Sequence, residues 1–489
     1  MKHIIFFSLI FSFIFLSSLS AQEEAPITGA WDADIGRSVG LPDNSEKTAD
    51  EAELADEKKA KKKKESLSPD LWRGQRQQRY FEIGLVGARA GIDNSIFTLG
   101  DVFGAFKGEV FFDAKSIADS GFTFNLDLFA KPFHIKLVFP RFLDIEFFTK
   151  ADIRMYGDID EGTLKSISSL QDFASSFNST GNSATDIDNV KNKLQGMEGS
   201  LSAAASGFAE IGFSFSKTIF DKRLWLKVSP SVFFTMFYMP SSSIRLTNFG
   251  VDNSGAAEEF MGLRGNGIIS VYSSYDIKSS DYAHVLASPG FDISLEGRFA
   301  AFSFLDFGLR VDSIPIMPST TNYKTGVDLN LELNVVNPSY DWSNNPEKLE
   351  EYLAKGIGFD APDMDNMFTS SQEENFAVSR PTRINFEILF KPFNSNLFVV
   401  KPNFGLSINS VLAPLLMNYG AELQLNLPAV FSAALNIGVD EMIWRNMLTT
   451  EIDFRVFELD IGVALQGPKF VDSWRGKGLA AIIGFKVGY

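Results

Sequence analysis

The eleven residues that end the chain, Leu479 to Tyr489, alternate in character. Leu479, Ala481, Ile483, Phe485, Val487 and Tyr489 are all apolar, whereas Ala480, Ile482, Gly484, Lys486 and Gly488 are mostly small or polar. A period of two puts one set on each face of a β-strand. A tilted strand of about this length crosses the hydrocarbon of a bilayer.

The pattern recurs. Phe122–Leu128 and Phe457–Leu465 alternate in the same way. In Val327–Val335 the aliphatics face one way and Asp328, Asn330, Glu332 and Asn334 the other; in Tyr419–Leu427, Glu422, Gln424 and Asn426 oppose the apolar row. A strand with one polar face needs water there. In a soluble sandwich that water is outside, and in a membrane barrel it is the lumen, so these seven polar residues are candidate lumen-facing positions.

Three features favour the barrel. The alternating runs exceed the five or six residues usual for soluble strands. Aromatics cluster at strand ends (Phe129/Phe133, Phe237/Tyr238, Phe390/Phe393), as a girdle at headgroup level requires. Short connections, 220–223 and 393–396, alternate with long polar intervals, 157–206, 239–289 and 338–379. Ala130–Phe133 and Phe390–Phe393 both carry Lys-Pro and read as strand ends before a turn. The reading is an all-β, transmembrane antiparallel β-barrel of about 14 strands (12–16), with helical insertions in its long loops.

The amino end supports export. Met1-Lys2-His3, the apolar run Ile4–Leu16 and the small residues that follow form a signal peptide over 1–21, cleaved near Ser20 or Ala21. Residues 22–78 read as a disordered, charged periplasmic lead in which Lys58–Lys64 serves as a solvated tether. The barrel occupies 79–489, and the apolar stretch 91–104 is a candidate plug of the lumen.

Composition narrows the classes. The chain has no cysteine, so no disulfide framework supports it. Its 48 phenylalanines in 489 residues are dispersed rather than continuous, and no second apolar run reaches the roughly 18 residues of a membrane helix. A net charge of −16 argues against nucleic acid as a partner. No histidine pair has metal-ligand spacing and no glycine-rich phosphate cradle precedes a helix, so no catalytic residue, metal or cofactor is assigned.

The long intervals carry local signals. Leu164, Ile167, Leu170, Phe173 and Phe177 recur at helical spacing, as do Ile187, Val190, Leu194, Met197 and Leu201, separated by Asn178–Asn182. Two helices in a hairpin, self-packed or dipping into the barrel, follow. Asn345-Pro346-Glu347 starts a further helix. Residues 341–375 hold nine carboxylates against two lysines, and Asp360, Asp363 and Asp365 lack full calcium-loop spacing, so this reads as a solvated acidic loop. Leu224–Tyr238 keeps its parity through Pro230, a candidate wall kink whose gap would let an apolar solute leave sideways.

Phe485, Val487 and the aromatic carboxy end at Tyr489 resemble the sorting signal read by the machinery that inserts bacterial outer-membrane barrels. Signal, polar lead, amino-terminal apolar segment and long alternating strands over residues 80–489 together resemble barrels of the fatty-acid-transporter-like group. They are equally similar to outer-membrane barrels of spirochaetes and Bacteroidetes. The transporter group's early Asn-Pro-Ala motif is absent, with Asp93-Asn94-Ser95 nearest to it. The resemblance implies an outer-membrane location, contact with outer-membrane lipid and the barrel-assembly machinery, and passive uptake of small or apolar solutes. The other reading is a structural barrel whose loops mediate adhesion or envelope contacts without transport.

Overall fold

The computed structural model describes residues 80–488 apart from 95–109, 113–120, 278–285, 361–367 and scattered positions in turns. The signal peptide, the lead with Lys58–Lys64, residues 95–104 of the candidate plug and Tyr489 lie outside the described residues.

Among the described residues twenty strands make one sheet. The first eleven are β1 (Phe81–Asn94), β2 (Val110–Phe112), β3 (Phe122–Ala130), β4 (His134–Val138), β5 (Asp144–Ile159), β6 (Glu198–Ile219), β7 (Leu224–Val251), β8 (Ala257–Ser273), β9 (Gly290–Phe302), β10 (Leu305–Met317) and β11 (Ser319–Val336). The rest are β12 (Ile357–Asp360), β13 (Phe368–Val378), β14 (Thr382–Phe390), β15 (Phe398–Ile408), β16 (Leu415–Leu427), β17 (Phe431–Asp440), β18 (Ile443–Asp453), β19 (Phe457–Gly467) and β20 (Gly478–Gly488). The α-helices among the described residues are α1 (Glu161–Ser176), α2 (Ser183–Leu194), α3 (Pro346–Lys355) and α4 (Phe470–Trp474).

β1 pairs antiparallel with β20 from Glu82–Gly488 to Asp93–Gly478, and with β3 and β4 on its other side, so the wall closes on itself. Several strands share a wall position. β3 and β4 both lie between β1 and β5, β8 and β9 both flank β7, β10 runs into β11, and β13 runs into β14. The wall is therefore a closed, 14-stranded antiparallel barrel.

Its pattern is inverted relative to a soluble sheet. On β16, Leu423, Leu425 and Leu427 are 41–44% exposed while Gln424 and Asn426 are buried. On β19, Ile461 and Val463 are exposed while Glu458 and Gln466 are buried. Aliphatic groups outside and amides inside leave a net stability only when the outside is hydrocarbon. No described helix is long and apolar enough to cross a membrane.

The wall is lopsided in height. β6 and β7 run 22 and 28 residues, beyond the 9–11 a tilted crossing needs, whereas β17 and β18 run 10 and 11. Low on β6, Ile211, Phe213 and Phe215 are exposed outward. The β5–β6 ladder keeps one register throughout, so the same face carries Gly199 and Leu201 higher up. There lipid is replaced by protein. Leu164, Ile167 and Leu170 of α1 and Val190 and Leu194 of α2 pack with Leu246, Leu263, Leu331 and Leu333 of β7, β8 and β11. At Gly199 α1 comes close to the sheet: a Cβ there would meet the Thr163 side chain at 2.1 Å.

The helical hairpin thus forms, but its second helix is shorter than the spacing predicts: α2 ends at Leu194, leaving Met197 in the connection and Leu201 on β6. The hairpin covers the outer face of the tall sheet rather than entering the lumen. Asp160 caps α1 by accepting from the Thr163 N–H, and Asn182 caps α2 by accepting from Ala184 N at 3.1 Å.

Four expectations need correcting. The interval 239–289 is not a loop: β7 continues to Val251 and β8 takes Ala257–Ser273, with bulges between Tyr238 and Thr247 disguising the period. Strands likewise enter 157–206, where β6 starts at Glu198, and 338–379, which holds β12 and β13 as well as α3. Ala130–Phe133 does not end a strand at a turn. It interrupts one wall position between β3 and β4, where Pro132 has no N–H to give and Lys131 N still donates to Gly87 O at 2.5 Å. Gly91–Asn94, the start of the candidate plug, belongs to β1 in the wall.

Candidate functional site: the lumen and its crosspiece

The connections Phe302 to Leu305 and Phe220 to Arg223 lie at one end of the barrel; the helices, the tops of the tall strands and the two-residue β17–β18 turn lie at the other. Near the short-turn end the lumen holds a cavity of about 520 Å³. Serines from three neighbouring strands, Ser214, Ser216, Ser229 and Ser294, share its lining with charged groups. Glu146 takes Nζ contacts from Lys131 at 2.5 Å and Lys227 at 2.8 Å. His134 Nε2 lies 3.0 Å from Glu82, and Arg298 bonds Glu296 at 2.7 Å.

Above this cavity the lumen narrows to a pocket of about 100 Å³ crossed by ion pairs. Arg154 on β5 reaches Glu441, at the turn between β17 and β18. β5 is the third wall position and β17 the eleventh of 14, so this bond spans the barrel. Arg383 on β14 bonds the other oxygen of Glu441 at 2.9 Å, and Ser407 Oγ donates to it at 3.0 Å. Beside it, Arg380 joins Glu210 of β6 to Asp292 of β9. A third group lies toward β1. Arg445 meets Asp127 at 2.9 Å and Gln466 at 3.1 Å, Arg89 meets the same Asp127, and Gln466 and Asn125 both donate to Asp93.

The turn that delivers Glu441 is built against its own backbone preference. Glu441 and Met442 both have positive φ, 47° and 74°, in a two-residue hairpin turn where Asn-Gly is the usual solution. Glu441 is 1% exposed, and its backbone N donates to Asn418 Oδ1 at 2.8 Å. The arginines and Asn418 hold it inside.

Gln424 and Asn426 are buried on the inner face of β16 and bond each other at 2.9 Å, and Glu422 bonds Lys401 at 2.6 Å. Asp328, Asn330, Glu332 and Asn334 share the face of Lys324, which pairs through Tyr272 to Tyr238 and thence to Ser206 at the constriction. They continue the lumen-side face, but β10 has already used 13 residues below them, so they line the mouth above the membrane. Phe485 and Val487 lie on β20 and pair with Val86 and Ile83 of β1, at the closing seam.

Pro230 sits in unbroken β7 opposite Ile293. Toward β6 the pairs on either side, Ser231–Gly212 and Val228–Phe215, keep one offset. The register shifts lie higher, at Gly207/Phe208 and Ala203/Ala205; at Pro230 the β6–β7 ladder lacks the Phe213–Pro230 and Ser214–Ser229 pairs, and the Ser214 and Ser229 hydroxyls bond at 2.9 Å across that interruption. The crosspiece arginines were not singled out from sequence. Arg154 has apolar neighbours at 153 and 155 and Arg383 lies between Thr382 and Ile384, an alternation that marks a face but not a partner across the barrel.

The inverted wall and water-suited interior define a β-barrel of the outer-membrane type. Known protein families and curated proteins give no match to the sequence. Among solved structures the chain is similar in architecture to the Pseudomonas putida toluene transporter TodX. Identity is 8%, with 86% of this chain and 93% of that one covered, at a TM-score of 0.39. It is also similar to the CymD monoaromatic hydrocarbon channel (10%, 86% and 91%, TM-score 0.36) and to a Pseudomonas aeruginosa FadL homologue (8%, 84% and 90%, TM-score 0.36).

Proposed function

We propose that this chain is an outer-membrane uptake channel for small solutes, constricted where Glu441 meets Arg154 and Arg383. The observation that carries this reading is the polar cavity of about 520 Å³ directly beneath that crosspiece. A barrel serving only as a scaffold has no use for an open, charged interior and would fill it with side chains. Ion pairs between opposite walls can part and re-form more readily than a packed apolar plug, so they suit a constriction that must yield.

The names of similar structures, a toluene transporter and a monoaromatic hydrocarbon channel, bring apolar solutes into consideration. A wholly apolar solute travelling along this lumen would have to displace charged groups from water and from each other. The lining favours a solute with a polar or charged end.

A second reading has its own support. The apolar core joining α1 and α2 to the tall sheet is a rigid platform above the membrane, suited to envelope contacts. Planar-bilayer recording of the purified chain separates the two. Discrete conductance steps support the channel; a silent bilayer containing heat-modifiable, folded protein supports the platform.

A further inference from the structure

We propose that the cavity beneath the crosspiece is a binding station for a small organic anion, a carboxylate carried on a compact apolar body. The proposal rests on the uptake reading for its purpose but on separate observations for its chemistry.

The first observation is charge. The protein carries a net −16, yet among the described residues eight Lys and Arg side chains line this cavity against six Asp and Glu. The local balance is inverted, and a closed low-dielectric wall strengthens the field of the surplus. The second observation is the kind of group left unanswered. The buried polar atoms of the lining that find no hydrogen-bond partner are Arg89 Nε and Trp225 Nε1. Both are donors that cannot accept. Trp225 is 8% exposed, so bulk water does not serve it freely. Unused donors in a cationic cavity call for a ligand rich in acceptor oxygens.

The third observation is the apolar part of the lining. Trp225, Phe129 and Phe148 contribute to the same cavity. The Arg298 guanidinium lies 5.5 Å from the centre of the Trp225 ring, and the Lys150 ammonium lies 4.2 Å from that of Phe148. Rings with cations beside them offer a planar apolar body a surface while the charge is met alongside. The volume lies within the range of small-ligand sites, roughly 300–1,000 Å³. An inorganic ion would leave the rings unused, and a plain hydrocarbon would leave the donors and the surplus charge unanswered.

Titration calorimetry on the full chain in detergent, with benzoate, toluene and inorganic phosphate as probes, tests this. The expected result is saturable benzoate binding at least about tenfold tighter than that of either other probe, one such factor being a modest share of a charge-assisted contact. Arg298→Gln should weaken it by a similar factor and Trp225→Phe by less. Lys136→Gln, which leaves the Trp225–Arg298 contact in place, is the check should Arg298→Gln fail to fold; weakening there supports the proposal too. Absence of saturable benzoate binding, equal binding of toluene or phosphate, or unchanged affinity in a folded Arg298→Gln protein would overturn it. The two readings fail separately. Benzoate binding without bilayer conductance removes the channel and keeps the site; conductance without benzoate binding removes the site and keeps the channel.

Discussion

Glu441 and Arg383 meet at 2.9 Å although one stands on the turn between β17 and β18 and the other on β14, with Arg154 of β5 completing the contact from across the barrel. This relationship narrows the lumen at one level. Glu441→Gln keeps the shape of the side chain and removes its charge, leaving Arg154 and Arg383 to the more distant Asp152, at 3.5 and 3.7 Å, and Arg154 also to Asp440 at 3.9 Å. Removing the nearest carboxylate from this buried cluster costs on the order of 3 kcal/mol at most, which weakens the constricted arrangement. Single-channel recording should show conductance raised by about twofold or more, with longer open dwell times. Unchanged conductance would remove the crosspiece from any role in gating.

The turn itself makes a second prediction. Met442 holds φ at 74° and is 47% exposed, so glycine there loses little packing and gains conformational ease. Met442→Gly should raise resistance to thermal unfolding by about 1 kcal/mol, read as a shift in heat-modified gel migration. A loss of stability would mean that the backbone there is not strained.

Asp160 ties α1 to the top of the wall and should make the hairpin sensitive to acid. Its partial burial raises the carboxyl pKa, but hydrogen bonds from Ser200, at 2.7 Å, and from Thr163 outweigh that, and it lies below the ordinary aspartate value. A depressed folded value means that the stabilisation is complete above the unfolded pKa, near 4, and is lost as pH falls through the lower folded value. Hydrogen exchange of the α1 amides should therefore be flat from neutral pH down to about 5 once corrected for intrinsic rates, then accelerate. Asp160→Ala should cost about 1 kcal/mol of local stability and abolish that acid step. An acid step that persists in the variant would assign it to another group.

The outer face predicts a depth-dependent penalty. Leu448 lies mid-strand on β18, is 50% exposed and is flanked by Leu435 and Val463. Leu448→Arg puts a charge into hydrocarbon and should cost about 2–4 kcal/mol. Urea titration of the protein folded into vesicles measures it; an effect below about 0.5 kcal/mol, the usual range for a surface substitution in water, would contradict a lipid-facing position.

The sequence made the fold legible where one rule governed both faces of a strand. The alternation at 419–427 and 457–465 announces which side chains meet lipid because nothing interrupts it. The α1–α2 hairpin was readable from Leu164, Ile167 and Leu170, whose spacing survives as a packed stripe. What it packs against was not readable, because the apolar face of the tall sheet has the same period whether lipid or a helix covers it. The interval 239–289 hid its strands for a physical reason: bulges after Tyr238 shift parity and Gly265 and Gly267 leave room for Ile244, so the apolar row loses its regular count. The crosspiece depends on residues as far apart as Arg154 and Glu441, and only closure of the ring makes them neighbours.

Asp460 and Ile461 are successive residues of β19, one lining the cavity and the other 47% exposed on the outer face. The chain has no cysteine, so single-cysteine variants at these two positions can be labelled without background. Labelling in reconstituted vesicles with a water-soluble thiol reagent and a lipid-dissolved one tests most directly whether the wall is a ring with water within and lipid without. The account predicts that Asp460→Cys reacts with the aqueous reagent and Ile461→Cys with the lipid-dissolved one. Aqueous labelling of both positions, or the reverse assignment, would contradict it.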